Sequence, residues 1–578
     1  MEKKYIRFRF LAISVVLITL FHTANATLIT YPGLPGDLYK STKYIVAVTQ
    51  AGNSYDTYVY NSVNTFTEAT GSNRSMMTDD NNFCSFSFDG SVEVTVNLPL
   101  RTTAITSVEI RPKSKGITAT WSGNTITIPI SKPGNYYVCI NGEEKNPLFL
   151  FANPLEVNAP PPSGNANIEY LTPETFTPTF TSTKPIWYFA PGVYDAGIAG
   201  GNLTNIPSGV TIYLAGGVYL KGRLTATTAS TSLTVKGRGI ISGIDLPYVA
   251  GSYGTALIGG GSNNKTALNL EGVILTDPPQ QLCMTYASGS TIDNLKLLSW
   301  YINSDGISLD KSSTVKNCFL KVNDDNLKPM KNNQTFKDNV VWVQVFGSAL
   351  QFSWNITIPT SNIIVDGLDV IGFDKGNQTG VNTNASVVSF QNLNGGSFSN
   401  NTVQNIRSDV KVYKIFTVQI KSTQSGFTQG LGTIDGILFK NFSFPIGTKY
   451  PSTFNGNGTS TGEIKNITFQ DVIIGGTLLT DVNASTYLTR TGLTSNFFYT
   501  SVPNSTPSVL QNTTFKWNTI ENGILISNLV VGDNVVIYGM AGNIISNHKA
   551  IQSSFSVNVP KGFYIVQSNN QSCKVNVQ

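Results

Sequence analysis

The chain has 578 residues, 40% hydrophobic, 11% aromatic and 13% charged, with a formal net charge of +5. It is too long for one compact core and too apolar for a disordered chain, so two to four folded units are expected. The charge is spread without long basic runs, which excludes a nucleic-acid surface and lends little support to a strongly acidic partner.

The N-terminus reads as a secretory signal over residues 1–26. Lys3, Lys4, Arg7 and Arg9 precede the apolar run Phe10 to Phe21, and Ala24-Asn25-Ala26 follows as a small-x-small cleavage site. That run is too short to span a bilayer comfortably, and no later run is long enough. The expectation is an exported protein, secreted or at the cell surface, with no membrane span.

Residues 27–160 show period-two alternation over Tyr44–Val48, Ser91–Leu98, Ser107–Arg111 and Thr125–Ile130, punctuated by W-S-G-N and K-P-G-N. This predicts a β-sandwich. Of the five cysteines, Cys84 and Cys139 fall inside it. They could form a disulfide in an oxidising compartment or remain buried thiols. The Pro-rich stretch Asn158–Asn165 reads as a linker.

From 165 to 515 the sequence repeats a frame. Examples are S-L-T-V-K-G-R-G-I-I-S-G, T-A-L-N-L-E-G-V-I-L-T-D, S-T-V-K-N-C-F-L-K-V and E-I-K-N-I-T-F-Q-D-V-I-I. Each unit is too small to bury its apolar face alone, but stacked units share one core. Asn residues can bond in ladders at the turns. A right-handed parallel β-helix is predicted. Residues 517–578 return to period-two strands joined by Gly turns and predict a small C-terminal β-sandwich. Their V-V-I-Y-G-M-A-G-N-I-I-S and V-P-K-G-F-Y-I-V segments resemble the C-terminal sorting domain of the type IX secretion system of Bacteroidetes. That resemblance implies secretion machinery as a partner and possible cleavage of the tail. The fold class expected overall is all-β: an N-terminal β-sandwich, a right-handed parallel β-helix and a small C-terminal β-sandwich.

Acids concentrate between Trp300 and Asp325, in W-Y-I-N-S-D-G-I-S-L-D and K-V-N-D-D-N-L-K-P. Asp305 and Asp324 are separated by about one β-helix turn, so they are expected side by side on neighbouring strands ~4.8 Å apart. Asp325 can join them only if the chain bends, which Asn323 and Asn326 favour. Asp310 reads as a turn residue. Three acids in one groove raise one another's proton affinity, so one can stay protonated as a general acid while the others are ionised. Glycoside hydrolysis needs that split. Neighbouring turns could also supply the spacing of about 6.5–9.5 Å used by inverting enzymes. Asn303 and Asn323 flank the acids, and Trp300, Tyr301, Trp342 and Trp354 are candidate platforms for sugar rings. The alternative for N-D-D is a solvated turn or a Ca²⁺ site. No metal or cofactor is expected. The histidines are His22 and His548 alone, so proton transfers fall to the carboxylates.

N-S-D-G-I, N-D-D-N-L-K and V-V-W-V-Q-V-F-G-S-A-L-Q-F-S-W resemble glycoside hydrolase family 49, which contains dextranase and isopullulanase. W-Y-F-A-P-G-V-Y-D-A-G and V-K-G-R-G-I-I-S-G resemble features of the wider clan that includes polygalacturonases. The resemblance implies an inverting mechanism with Asp324 as general acid and Asp305 and Asp325 holding the attacking water. It also makes Lys328, Gln351 and Trp354 substrate-contact candidates, although Lys328 reads equally as a surface lysine. Polygalacturonases add a histidine and an Arg-Ile-Lys cluster. Here the corresponding places read Phe346-Gly347-Ser348 and Gln419-Ile420-Lys421, which favours a neutral glucan. The expected function is endo-hydrolysis of α-1,6-linked dextran by a monomer whose partner is the polysaccharide. The alternatives are another polysaccharide hydrolase on the same scaffold, a polysaccharide lyase and a noncatalytic glycan-binding β-helix.

Overall fold

The structure is a computed structural model. It describes the chain except residues 1–25, 63–79, 198–201, 228, 247–255, 260–264, 302, 355, 375–385, 392–393, 421–430, 458–461, 502–515, 521–522, 528, 530–531, 540–542, 553, 569–570 and 578. Nearly all of the signal expected over 1–26 lies outside the described residues. Two compact units emerge, residues 1–500 and 501–578. The first contains both the sandwich and the parallel β-helix.

The sandwich packs a six-stranded sheet, with Asn81–Phe88, Leu148–Asn153 and Gly134–Ile140 at its centre, against a five-stranded one containing Ile45–Gln50 and Val92–Asn97. Alternate side chains such as Val46, Val94, Ile128, Phe86 and Leu150 fill the space between the sheets. Cys84 and Cys139 are both buried and unpaired. Cys84 faces the sandwich core and Cys139 the opposite surface, so they project from opposite faces of one sheet and the disulfide alternative is set aside.

The β-helix follows from the repeat. Each coil contributes strands to a 21-stranded sheet and to a second face formed by two five-stranded pieces. Pairing between coils is parallel, for example Leu320 with Val341 and Val341 with Val370. One continuous core runs its length, including Leu270, Ile292, Val315, Phe336, Val365, Val403, Ile434 and Ile464. Tight corners inside the long sheet need a residue at positive φ, and Asn tolerates that region better than other side chains. Asn294, Asn317, Asn405 and Asn441 all adopt it. The side chains of Asn317, Asn405 and Asn441 cross-link successive coils, as where Asn441 Nδ2 donates to Asn405 Oδ1 at 2.5 Å, and Asn466 belongs to a similar ladder. Asn294 Nδ2 donates instead to Asn153 Oδ1 of the sandwich at 3.1 Å.

The sandwich is seated on the outside of the β-helix through a second apolar cluster. Phe83, Tyr137, Phe149 and Phe151 meet Tyr219, Ile274, Phe319 and Trp342 there. Two lysines are buried in this contact: Lys321 Nζ donates to Asn81 Oδ1 at 2.9 Å, and Lys296 Nζ donates to Asn153 Oδ1.

The second unit is a small antiparallel sandwich. One sheet comprises Lys516–Ile520, Gly523–Ser527 and Ser554–Asn558, and the other Asn534–Gly539, Ile544–Lys549, Gly562–Ser568 and Gln571–Val577. Ile524, Ile526, Ile537 and Val566 form its core.

Candidate active site

The second face of the β-helix is interrupted. Its two pieces meet through Leu327, which bridges in parallel to Ile307 on one side and to Leu350 on the other. Around Leu327 the chain bends rather than running as a strand, from Asn323 to Asn326. The bend anticipated from the Asn residues flanking N-D-D is therefore present. It turns Asp324 and Asp325 toward the same site.

The register differs from the one expected. Counting back two residues from the Ile307–Leu327–Leu350 bridges aligns Asp305 with Asp325 and Ser348. Asp324 sits one residue earlier, level with Ser304 and Gly347. A Cβ on Gly347 would lie 2.2 Å from the Asp324 carbonyl carbon, so glycine lets the next coil close on the two acids. Cys283 pairs with Ile307, which extends the column to Gln281.

One carboxylate oxygen from each of Asp305, Asp324 and Asp325 lies within 4.8 Å of the other two. Their nearest oxygens are closer than the separation of about 6.5–9.5 Å given for the two carboxyl groups of an inverting pair, because all three acids crowd onto adjacent coils at one bend. Asp305 is fully engaged: Lys328 Nζ lies 2.8 Å from Oδ1, and Gln281 Nε2 donates to Oδ2 at 3.0 Å. Asp325 Oδ1 accepts from the Ser348 N–H and Oγ, both at 3.1 Å, while its Oδ2 is 3.8 Å from Lys328 Nζ. Asp324 Oδ2 accepts from Asn303 Nδ2 at 3.3 Å, and its Oδ1 accepts from the Asp325 N–H at 2.9 Å. Asp305 and Asp325 are buried, whereas Asp324 is the partly exposed member.

Asn303 reaches Asp324 because its corner is long. The neighbouring coils align Thr276 with Leu298 and Cys283 with Ile307. Between those anchors this corner carries two more residues than the preceding one, 298 to 307 against 276 to 283. Asn303 lies in this corner at φ 62°. Ser304 Oγ pins it, lying 2.6 Å from Ser299 Oγ and donating to the Tyr301 carbonyl.

Burial, then the charges of Asp305 and Asp325, push the Asp324 carboxyl well above the usual range. That shift favours its protonated form. Asp325 is raised to about 6, chiefly by burial, with Lys328 and Ser348 opposing and Asp305 adding to the rise. Lys328 is raised despite its burial, because the three carboxylates outweigh that cost. A raised carboxyl gives up its proton only at higher pH. The kcat/KM profile should therefore lose activity below about pH 6 as Asp325 becomes protonated, and fall again where Asp324 ionises. A profile flat between about pH 5 and 8 would remove Asp325 from the proton transfers.

The other expected contacts divide. Trp354 is 44% exposed, next to the strand Leu350–Ser353, and remains available to a ligand. Tyr301 is partly buried. Trp342 is not a sugar platform: it is sealed between the β-helix and the sandwich, edge-on to Tyr137, with Nε1 donating to Asp374 Oδ1 at 2.8 Å. Trp300 is buried at 2% exposure, and its carbonyl accepts from Asn323 Nδ2 at 2.7 Å. Asn323 and Gln351 are likewise fully buried, so neither offers a surface to substrate. Gln351 Oε1 accepts from Ser348 Oγ at 3.2 Å, which makes it a support behind Asp325. Asp310 caps its own turn by accepting from the Lys311 N–H at 2.8 Å. Gln281 and Ser348 were not singled out as functional residues; a column alignment to Asp305 and Asp325 was the signal that could have found them. Among the described residues, the three acids are the group that could gather around a metal ion. The Lys328 ammonium already stands among them, and no metal is assigned.

Residues 10–169 match the glycosyl hydrolase family 49 N-terminal Ig-like domain. The chain is 28% identical over 293 residues to a dextranase of Arthrobacter sp. (strain CB-8), covering 45% of each chain. It thus spans about half the length of that relative. It is 24% identical over 532 residues to the isopullulanase of Aspergillus niger, covering 81% of this chain and 92% of that one. The structure of Dex49A from Penicillium minioluteum superposes with a TM-score of 0.62 at 19% identity, over 82% of this chain and 96% of the other; that likeness concerns the fold. The match to that Ig-like domain, together with the dextranase and isopullulanase relatives, supports a glycoside hydrolase. The chain is similar to glycoside hydrolase family 49, in its N-terminal domain by the family model and along most of its length by the isopullulanase relative.

Proposed function

We propose that the chain is a secreted, monomeric, inverting glycoside hydrolase of neutral α-glucans, acting endo on the α-1,6 linkages of dextran. The observation that carries this reading is the division of labour among the acids. Asp324 is the partly exposed one, its carboxyl raised well above the usual range, while Asp305 has both oxygens engaged. A carboxylate held on both oxygens is better placed to hold a water than to swing onto an anomeric carbon. The Asp324 proton passes to the glycosidic oxygen as the bond to the anomeric carbon breaks. A water beside Asp305 and Asp325 adds its oxygen to that carbon and gives a proton to the pair. The products are two shorter glucans, and the acids exchange protons with solvent before the next cycle.

The dextranase and isopullulanase relatives support a glucan substrate. Among the described residues no arginine contacts the three acids, which fits an uncharged sugar. The basic and apolar N-terminus supports export, and the tail motif supports secretion machinery as its partner.

Reducing-sugar release from dextran, pullulan and polygalacturonate, with proton NMR of the first anomer formed, tests this reading. Cleavage of dextran with the β-anomer appearing first is expected. Initial α-anomer would mean retention and pass the nucleophile's part to Asp325, whose Oδ2 is the freer oxygen. Ultraviolet-absorbing products would indicate a lyase, and binding without cleavage a glycan-binding protein.

A further inference from the structure

We infer that Lys328 is a positioning residue that joins Asp305 and Asp325 into one water-holding pair. This rests on the proposed glycoside hydrolysis but carries a readout independent of it. Lys328 follows the bend by one residue after Leu327, on the strand side where its neighbours in the column are Ser308 and Gln351. Its ammonium lies 2.8 Å from Asp305 Oδ1 and 3.8 Å from Asp325 Oδ2, with its side chain 14% exposed. It thus links acids carried by two successive coils, a contact the backbone ladder cannot make.

The anchors on either side are neutral. Gln281 holds the far oxygen of Asp305, and Ser348 holds the far oxygen of Asp325. The cation lies between, so the column reads amide, carboxylate, ammonium, carboxylate, hydroxyl. Two carboxylates and one ammonium leave one negative charge. Among the described residues no ammonium stands at such a distance from Asp324; its partners are the Asn303 amide and the Asp325 N–H. A third negative charge is therefore the one the site disfavours. A lysine serving only as a sugar contact would need its ammonium free of the acids.

Lys328→Met and Lys328→Arg test the inference. In the Met variant the acidic limb of kcat/KM should move up by about one pH unit or more, with kcat down at least about 100-fold and KM changed less than about threefold. The Arg variant should keep much of the limb position. A sugar-contact role would instead raise KM and leave the limb in place, and that result overturns the inference. Thermal melting against pH gives the readout that needs no turnover. Without the ammonium, the Asp325 carboxyl is raised further in the folded state, and a raised carboxyl contributes stability at low pH that is lost as pH rises through its folded value. The Met variant should therefore match wild type near pH 5 and melt lower by several degrees near pH 8. Parallel melting curves across that range overturn the inference even if no glucan is cleaved. Altered curves without glucan cleavage would retain it and remove the hydrolase reading alone.

Discussion

Asp324→Asn is expected to lower kcat by about 10²–10⁴-fold while leaving dextran binding intact, because the amide keeps the shape but has no acid proton to give. The same change should stabilise the fold. Asp324 is pressed by burial and by two neighbouring carboxylates, and replacing it removes that conflict. Its pKa is raised in the folded state, so its ionisation lowers stability as pH rises. The gain, about 0.5–2 kcal/mol, should thus be largest on the alkaline side and fade in acid. Reducing-sugar assays, retardation in dextran-containing gels and thermal melting at two pH values measure the three parts. Full activity in the variant would sink the assignment of Asp324 as general acid. A lower melting temperature at alkaline pH would mean that Asp324 holds the bend together instead.

Trp342→Ala should have the largest effect on stability. The side chain is completely buried, packs edge-on to Tyr137 and Phe149, and lies 5.1 Å beneath the Lys321 ammonium. A Cβ on Gly372 would fall 2.2 Å from its ring, so the next coil is shaped around the indole. Truncation should cost about 3–5 kcal/mol, read from chemical denaturation of the full chain. The KM of the folded fraction should not change, because the ring faces the sandwich. A raised KM with unchanged stability would restore Trp342 as a sugar contact.

The tryptophan shows where sequence reasoning runs out. Alternation along T-F-K-D-N-V-V-W-V says correctly that Trp342 points out of the β-helix, since Val341 and Val343 point into its core. Alternation carries no information about what covers the outside, and here it is another domain rather than solvent. The acids show a second limit. The repeat frame and the bend after Asn323 were legible because turn chemistry is local. The partner of Asp305 was misassigned by one residue, because register depends on corner lengths, and the extended corner before Asp305 leaves no periodic trace. The short spacing among the acids has the same origin: strand spacing is general, but the bend that folds Asp324 in beside Asp305 is particular to this coil. Gln351 was identified by position, yet its burial comes from coils far along the chain.

The interruption at Leu327 divides the face that carries the site into two sheet segments joined by single-residue bridges. In a solenoid each coil's register is inherited from its neighbour, but here that inheritance is weakest where the acids lie. Insertions in coils before Asp305 and in coils after Ser348 can accumulate as separate lineages of change without dislodging the three carboxylates. A scaffold divided in this way would let the coils on either side change length while the three carboxylates between them stay put.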